Sequence, residues 1–270
     1  MTAATKLLTT RDGRMLALAG DRFITPCLET YGELSPAERA ILVQMIRPGM
    51  TVVEAGANVG AFTLAMARAC HPGPLYAFEP QQRVFQILCA NLAMNGIENV
   101  VASPDACGRA PGRATIPPLD YAAQNNFGGV SLSAADRPGQ SVRITPLDEL
   151  ALPACGLVKA DVEGFEVEVI EGARETIARC RPLLYVENDR REHRDTLIRL
   201  IHSLGYRLFW HRPALASPQN FNGVQRAIFD RNYVSTNMLC IPHERGTHTD
   251  LEPIDPANPQ PPTPGRPAGG

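Results

Sequence analysis

Residues 51–67 read TVVEAGANVGAFTLAMA. The stretch begins with β-branched residues typical of a strand, passes an acidic residue and two glycines, and continues into an apolar helical pattern. In an open α/β sheet, a glycine-rich turn between strand and helix lets a ligand approach the backbone at the carboxyl end of the strand. The stretch therefore predicts an α/β sheet with a ligand site at this turn.

The later sequence repeats the same order of elements. It alternates between apolar strands (PLYAFEP, ENVVASPDAC, LVKADVEG, PLLYVEN) and amphipathic helices (QRVFQILCANLAMNG, EVEVIEGARETIAR, HRDTLIRLIHSLGY). Such alternation predicts a doubly wound, mostly parallel sheet with right-handed crossovers. Ahead of it, SPAERAILVQMIRPG predicts a helix over residues 36–47, with Ser35 as N-cap and Glu38 completing a capping box.

Composition divides the chain into one main domain with additions. Residues 1–34 form an N-terminal extension with a hairpin signal at Asp12-Gly13, and residues 35–242 form the α/β domain. Residues 108–146 are rich in Gly, Pro, Asn and Ser, which predicts a β-rich insertion or lid. Residues 243–270 are rich in proline and glycine and poor in apolar residues, so they are expected to be a disordered tail.

Charge and hydropathy exclude several protein classes. The formal net charge of -2 gives no signal for nucleic-acid binding, and no run is apolar enough to cross a bilayer. The N-terminus lacks the apolar core and cleavage site of a secretory signal. The seven cysteines are scattered without a C-x-x-C pair, which argues against a zinc knuckle. These features predict a cytoplasmic protein without a membrane span.

Acidic residues follow three consecutive strands of the predicted sheet. Glu54 precedes a turn in which Gly56 and Gly60 lack the middle glycine of a dinucleotide fingerprint, and a carboxylate there suits a cationic ligand. Glu79 lies nineteen residues after Gly60, at the tip of the second strand, where it can accept ribose hydroxyls. Asp105 ends the third strand and is a candidate for the adenine amino group. Together these positions favour S-adenosylmethionine.

Three stretches carry a family resemblance: VVEAGANVGAFTLAMA, YAFEPQQRVFQILCANLAMNG and LVKADVEGFEVEVIEGARETIARCRPLLYVEN. Over residues 48–242 the chain resembles the FkbM family of S-adenosylmethionine-dependent methyltransferases. The resemblance implies a seven-stranded, Rossmann-like sheet whose last strand is antiparallel, with residues 235–243 as the candidate. It also implies O-methylation of a sugar, polyketide or other secondary metabolite. The residues expected to contact the donor are Glu54, Gly56, Ala57, Asn58, Gly60, Glu79, Pro80, Asp105, Ala106 and Asp161.

Residues after the fourth and fifth strands are candidates for the chemistry. In a first mechanism, Asp161 or Glu163 is the general base and Lys159 positions the acceptor oxygen. In a second, Asp161, Glu187 and Asn188 hold a divalent cation through oxygen ligands. The Glu-Asn pair departs from the Asp-Asn pair of catechol-type methyltransferases, so the metal-free mechanism, with Glu187 as a further catalytic candidate, is preferred.

The neighbouring charged residues are expected to be structural. Glu166, Glu168 and Asp189 are interpreted as helix caps or salt-bridge partners. The basic cluster at residues 190–194 is interpreted as a solvated face.

Two alternative functions remain at this point. One is a nucleotide-cofactor oxidoreductase on the same sheet, and the other is a cofactor-binding module without catalysis. For the preferred methyltransferase, the predicted partner is a small-molecule or glycan acceptor. The sequence indicates neither the acceptor's identity nor the oligomeric state.

Overall fold

The computed structural model describes residues 4–132, 136–229, 234–246 and 248–261. The chain begins with a hairpin and a short helix: β1 (Thr5–Thr10), β2 (Gly13–Leu18) and α1 (Ile24–Tyr31). The hairpin strands pair antiparallel, with Thr10 opposite Gly13, as the turn signal predicts. The hairpin is joined to the main domain because Asn91 accepts a hydrogen bond from the Leu16 N–H and donates one to the Leu16 carbonyl.

The remaining elements follow in chain order. They are α2 (Pro36–Met45), β3 (Val52–Ala55), α3 (Thr63–Cys70), β4 (Leu75–Phe78), α4 (Gln82–Met94), β5 (Val100–Ser103), β6 (Ala106–Cys107), β7 (Gly112–Ile116), β8 (Gln140–Thr145), a 3-10 helix (Leu147–Leu150), β9 (Leu157–Ala160), α5 (Glu166–Glu171), α6 (Arg174–Cys180), β10 (Leu183–Glu187), α7 (Arg191–Ser203), β11 (Tyr206–His211), β12 (Asn237–Pro242) and β13 (Glu252–Pro253).

The central sheet has the strand order β13-β11-β12-β10-β9-β3-β4-β5. The strands from β5 to β10 in this order are parallel, and β12 is antiparallel to both of its neighbours. The predicted doubly wound sheet is therefore confirmed, and its antiparallel strand lies within residues 235–243 as expected. Among the described residues the sheet has eight strands rather than seven, because β13 adds an edge strand.

Helices cover both faces of this sheet, so the central strands are buried along their length. Every residue of β3 and β9 is buried, as is usual for parallel sheets. Successive side chains point to opposite faces: Val52 packs in a core with α2, α3 and α4, whereas Val53 packs in a second core with α5, α6 and α7. The two cores hold the carboxyl ends of the strands in fixed positions.

A small separate sheet stands beside the carboxyl ends of the central strands. Its order is β6-β8-β7, and β7 and β8 belong to residues 108–146, which confirms the β-rich insertion. Ala114, Ile116 and Val142 form its own small core. The insertion is tied to the N-terminal extension through a parallel bridge between Asp21 and Asn125.

The start of α2 differs from the predicted capping box. Ser35 has a left-handed backbone, with φ 42°, and its side chain makes no capping hydrogen bond. Glu38 is buried in the first turn. Both side chains face a cavity described below, so the helix begins here without the reciprocal bonds that the S-x-x-E pattern predicts.

The expectation of a disordered tail from residue 243 is also corrected in part. Residues 252–253 form β13, which pairs antiparallel with β11 through Phe209 and Trp210. Ile254, an apolar residue that the proline-rich composition hides, is 7% exposed and packs in the second core. Residues 262–270 lie outside the described residues.

Candidate functional site

A cavity of about 420 Å³ lies at the carboxyl ends of the parallel strands. Its walls come from the loops that follow β3, β4, β5, β9 and β10, from the start of α2, and from residues 126–132 of the insertion. The insertion is held over the cavity because Gln81 Nε2 donates a hydrogen bond of 2.7 Å to the Phe127 carbonyl. This is the position where open α/β sheets bind their ligands.

The turn after β3 requires glycine at Gly56. Its φ is +84°, and a Cβ added there would lie 1.8 Å from the Asp161 carbonyl oxygen, so any larger residue would clash with the loop after β9. Ala57 and Asn58 follow it and line the cavity. Gly60 does not line the cavity; its φ is +90°, and an added Cβ would lie 2.9 Å from Leu88 Cδ1. Gly60 therefore serves the packing of the turn against α4.

Glu54 does not occupy the position expected of a direct ligand contact. It is 0% exposed and is absent from the cavity wall. Thr63 Oγ1 donates a hydrogen bond of 2.6 Å to Glu54 Oε2, and Lys159 Nζ lies 3.8 Å from Glu54 Oε1. Burial raises the pKa of Glu54, while the Lys159 ammonium opposes that rise. The carboxylate thus anchors Lys159 from beneath the site, which corrects the sequence prediction.

Glu79, at the end of β4, lines the cavity with Pro80. Its two carboxylate oxygens each accept a backbone hydrogen bond of 2.9 Å, from Asn58 N–H and Gln81 N–H. The side chain is 3% exposed, and burial raises its pKa to about 7. Each oxygen keeps a further lone pair for a ligand hydroxyl.

Asp105 and Ala106 also line the cavity, as predicted. Thr145 Oγ1, at the end of β8, donates a hydrogen bond of 2.7 Å to Asp105 Oδ2. Because one oxygen is held by the insertion, the other is available to accept a hydrogen bond from a ligand amino group.

Lys159 and Asp161 point to the same side of the strand end, as their spacing predicts. Lys159 Nζ donates a hydrogen bond of 3.1 Å to Asp161 Oδ2, and the lysine side chain is 1% exposed. Burial would lower the pKa of Lys159, but the carboxylates of Asp161, Glu54 and Glu38 raise it. Lys159 is therefore a permanent cation in the cavity wall and not a base.

Three of the predicted catalytic acids come together at the far end of the cavity. Carboxylate oxygens of Asp161, Glu163 and Glu187 lie within 4.8 Å of one another. Burial and then the Asp161 charge raise the pKa of Glu163, against the opposing effect of Arg190. Burial, followed by the charges of Asp161 and Glu163, raises the pKa of Glu187 well above its ordinary value. The crowding of these three carboxylates favours retention of a proton among them at neutral pH.

Asn188 is not part of this cluster. Its Nδ2 donates to Met238 Sδ at 3.2 Å and the residue is 3% exposed, so the predicted ligand set of Asp161, Glu187 and Asn188 does not form. The structure gathers Glu163 in its place, because a left-handed turn at Glu163, φ 56°, returns its side chain to the strand ends.

The other charged residues near the strand ends behave differently from one another. Glu166 caps the start of α5 by accepting backbone hydrogen bonds from Val162 and Gly164. Glu168 pairs with Arg109. Arg190, expected on a solvated face, instead lines the cavity and donates a hydrogen bond to Glu163 Oε2.

Sequence patterns did not reveal Ser35, Glu38 or Arg190 as cavity residues. Ser35 and Glu38 fit a capping box equally well, and Arg190 belongs to a basic cluster that resembles any exposed helix start. These three residues are identified only by their positions in the folded chain, where the start of α2 and the residue before α7 line the cavity with the strand ends. No local sequence pattern predicts this arrangement.

The geometry can now be compared with known proteins. The sequence profile of the Methyltransferase FkbM domain matches residues 54–208, more than half of the chain. The chain belongs to the FkbM methyltransferase family. The match begins at Glu54 and includes the turn at Gly56 and the acids from Glu79 to Glu187, so this FkbM methyltransferase has its cavity lined largely by the shared domain.

Two curated relatives carry methyltransferase names. Methyltransferase sdnD of Sordaria araneosa is 28% identical over 157 residues, which cover 46% of this chain and 60% of that protein. Methyltransferase 1 of Beauveria bassiana (strain ARSEF 2860) is 28% identical over 143 residues, covering 45% of this chain and 57% of that protein. The chain thus spans about three fifths of the length of these relatives.

Solved structures of similar fold include two methyltransferases. Precorrin-6y C5,15-methyltransferase from Geobacter metallireducens GS-15 has a TM-score of 0.49 at 11% identity, covering 75% of this chain and 87% of that one. Methyltransferase FkbM from Methylobacillus flagellatus KT has a TM-score of 0.48 at 16% identity, covering 75% of this chain and 50% of that one. Within the described ranges, every helix of this FkbM methyltransferase is too short or too polar to cross a bilayer.

Proposed function

We propose that this FkbM methyltransferase transfers a methyl group from S-adenosylmethionine to a hydroxyl of a neutral small molecule or glycan. The observation that carries the proposal is Glu79, a buried carboxylate fixed by two backbone hydrogen bonds of 2.9 Å beside a turn that only glycine can form. Such a carboxylate can accept both ribose hydroxyls of an adenosine ligand.

The residues present fit this donor. We assign the ribose hydroxyls to Glu79 and the adenine amino group to Asp105, with Ala57, Asn58, Pro80 and Ala106 along the same wall. The absence of a side chain at Gly56 allows the turn after β3 to pack directly against the backbone of the loop after β9. The spacing of Gly56 and Gly60 lacks the middle glycine that admits a pyrophosphate, and the family match further disfavours the oxidoreductase alternative.

Glu163 is the best-placed general base. When bound, S-adenosylmethionine supplies an electrophilic methyl group, and its C–S bond breaks as the bond from carbon to the acceptor oxygen forms. Glu163 would take the proton of the acceptor hydroxyl, because burial and Asp161 raise its pKa and so increase its proton affinity. Both acids have one oxygen engaged by a cation, Asp161 by Lys159 and Glu163 by Arg190, so the raised pKa of Glu163 is what favours it as the base.

A divalent metal is not required in this scheme. Asp161, Glu163 and Glu187 could offer oxygen ligands to a cation, but Arg190 already places a positive charge on Glu163. Glu187, whose pKa is raised well above its ordinary value, can hold a proton in place of a metal. We therefore retain the metal-free base.

The charge of the cavity supports a neutral acceptor. Within the described part of the chain, its wall carries seven carboxylates, against the two cations Lys159 and Arg190. An acceptor with a phosphate or carboxylate group would be repelled, whereas a hydroxyl-bearing sugar or polyketide would not. Val130, Leu132 and Leu215 line the same cavity and offer apolar contact.

We also propose a cytoplasmic location, no nucleic-acid partner, and a division into an extension (1–34), the catalytic domain (35–242) and a tail (243–270) whose residues 252–254 are attached to the domain through β13 and Ile254. Limited proteolysis followed by mass spectrometry tests the division, because cleavage should concentrate at its boundaries. Cleavage concentrated within residues 35–107 would contradict it.

Calorimetry tests the donor directly. S-adenosylmethionine should bind with micromolar affinity before and after treatment with a chelator, whereas NADH should not bind. Transfer of a labelled methyl group to a panel of neutral hydroxyl compounds then tests the reaction, with primary amines as the comparison set. Binding of NADH in preference to the donor, or transfer only to amines, would contradict the proposal.

A further inference from the structure

The start of α2 contributes a polar wall to the cavity that neither the family match nor the sequence patterns account for. Ser35 is 1% exposed and lines the cavity, and its buried Oγ has no partner at normal hydrogen-bond geometry among the described residues, although it lies near enough to Glu38 to lower the pKa of that carboxyl. A buried hydroxyl without a partner is unfavourable. A ligand group that accepts its hydrogen bond would remove that penalty.

Glu38 lies one helical turn further along the same wall. It lines the cavity, is 4% exposed, and has Lys159 as its strongest neighbouring charge. Burial raises the pKa of Glu38 to about 7, against the opposing effect of Lys159. This corner of the cavity therefore combines a buried carboxylate, a cation and a buried hydroxyl.

Glu54 cannot offer its carboxylate to a ligand in this corner. It is fully buried beneath Lys159 and holds the Thr63 hydroxyl. The sequence suggested Glu54 as the carboxylate for a cationic ligand group. Near Lys159, the carboxylate that lines the cavity is instead Glu38.

Strand order places the amino-acid end of the donor near this corner. The assigned adenine and ribose contacts, Asp105 and Glu79, follow β5 and β4, and the Gly56 turn follows β3. The next strand in the sheet is β9, which carries Lys159. A donor that runs along the strand ends in this order continues toward Lys159, and Glu38 faces Lys159 from α2.

We propose that Ser35 and Glu38 form the subsite for the α-amino acid group of S-adenosylmethionine. Glu38 binds the ammonium, while the Ser35 hydroxyl and Lys159 bind the carboxylate. Both α2 residues precede the matched domain, which begins at residue 54. A segment outside the family domain therefore completes the donor site.

Because this inference rests on the proposed function, the test must separate the two. S-adenosylhomocysteine and 5′-methylthioadenosine share the adenosine part, but only the former carries the amino-acid group. Calorimetric titration of the full chain with both probes isolates that group. Glu38→Gln should weaken S-adenosylhomocysteine about tenfold, as expected for loss of a charge-assisted hydrogen bond, and should change 5′-methylthioadenosine less than about twofold.

Ser35→Ala provides a second, smaller variant that removes one hydroxyl and is expected to fold. It should weaken S-adenosylhomocysteine about three- to fivefold and leave 5′-methylthioadenosine unchanged. Glu29→Gln serves as the control, because Glu29 pairs with Lys6 on the surface, and it should change neither affinity. Circular dichroism verifies that each variant is folded.

The outcomes are distinguishable. If the wild-type protein binds neither probe, the proposed function fails. If it binds both and the Glu38 and Ser35 variants bind S-adenosylhomocysteine normally, or lose both probes equally, the amino-acid subsite is not at α2.

Discussion

Carboxylates at the two ends of the cavity are held in different ways. At the donor end, Glu79 accepts two backbone hydrogen bonds and Asp105 accepts one from Thr145. At the acceptor end, Asp161, Glu163 and Glu187 lie within 4.8 Å of one another, and Glu187 Oε2 is buried with no hydrogen-bond partner among the described residues. Hydrogen bonds from the protein hold the carboxylates at the first end, whereas the carboxylates at the second end lie close to one another.

The difference separates recognition from chemistry. A carboxylate fixed by backbone N–H groups presents its free lone pairs in a set direction, which suits ligand hydroxyl and amino groups. Carboxylates forced together hold a proton more tightly and can exchange it near neutral pH. Under the proposed function, the end with Glu79 and Asp105 binds the donor, and the end with Glu163 moves a proton.

The largest expected effect is on Glu163. Glu163→Gln keeps the shape but removes the base, so the rate of methyl transfer to an acceptor from the neutral panel should fall roughly 10²- to 10⁴-fold. Affinity for S-adenosylhomocysteine should stay within about threefold. Glu168→Gln, which alters only the pair with Arg109, is the matched control. If Glu163→Gln lowered both the rate and the affinity for S-adenosylhomocysteine, the proposed separation of donor binding from proton transfer would be wrong.

The pH profile of the wild-type enzyme tests the same base independently. Because the pKa of Glu163 is raised from its ordinary value of 4.5, the rate should fall on acidification with a midpoint well above that value. Glu163→Gln should lack this step. A wild-type rate that stays constant down to about pH 5 would rule out a crowded carboxylate as the base.

The next largest effect is on Glu79. Glu79→Gln replaces one acceptor oxygen by an amide that faces a backbone N–H, so donor affinity should fall about 10- to 100-fold, equivalent to ~1.4–2.7 kcal/mol. Calorimetry with S-adenosylhomocysteine and 5′-methylthioadenosine measures it, and both probes should weaken alike, because both carry the ribose. A loss confined to one probe would place the ribose elsewhere.

The donor end was also the easier end to predict. Glu79, Asp105 and Gly56 line the cavity, and the sequence placed them together because parallel strands bring their carboxyl ends to one edge of the sheet. Glu54 also lies at a strand end, but it pairs with Lys159 on the neighbouring strand and does not line the cavity. Residue spacing along the chain does not predict which carboxylate a buried lysine will pair with.

The acceptor end depends on contacts that chain position does not encode. Asn188 points into the core and donates a hydrogen bond to Met238. A left-handed turn at Glu163 directs its side chain to the strand ends, and Arg190 lines the cavity. Each outcome follows from packing between elements far apart in sequence. Composition also failed at residues 251–254, where Leu251 and Ile254 pack against the two cores on either side of β13 within a proline-rich segment.

A stability effect of intermediate size is expected at Glu38. Its pKa rises from 4.5 unfolded to about 7 folded, so the folded protein binds the proton more tightly. The associated stability is fully present below pH 4.5 and is lost as pH rises toward 7. Lys159, Asp161 and Glu54 are the charged groups that face it.

Glu38→Gln is neutral at every pH and should escape this loss. In the absence of ligand, the variant should gain stability relative to wild type between pH 5 and 8, by about 2 kcal/mol. Urea unfolding at both pH values measures the difference, with Glu29→Gln as the exposed control. A difference that is independent of pH would show that Glu38 carries its charge in the folded protein without a cost in stability.

The smallest effect is expected at Thr145, which sharpens the comparison within the donor end. Thr145→Val keeps the shape of β8 but removes the hydrogen bond of 2.7 Å to Asp105, so Asp105 is less well fixed for the adenine amino group. Affinity for both adenosine probes should fall about two- to fivefold, or ~0.4–1 kcal/mol. Ser141→Ala, on the same strand and bonded to Arg113 on the surface, should have no effect. If Thr145→Val left both affinities intact while Glu79→Gln did not, backbone hydrogen bonds alone would account for recognition at this end, and the insertion would serve only to cover the cavity.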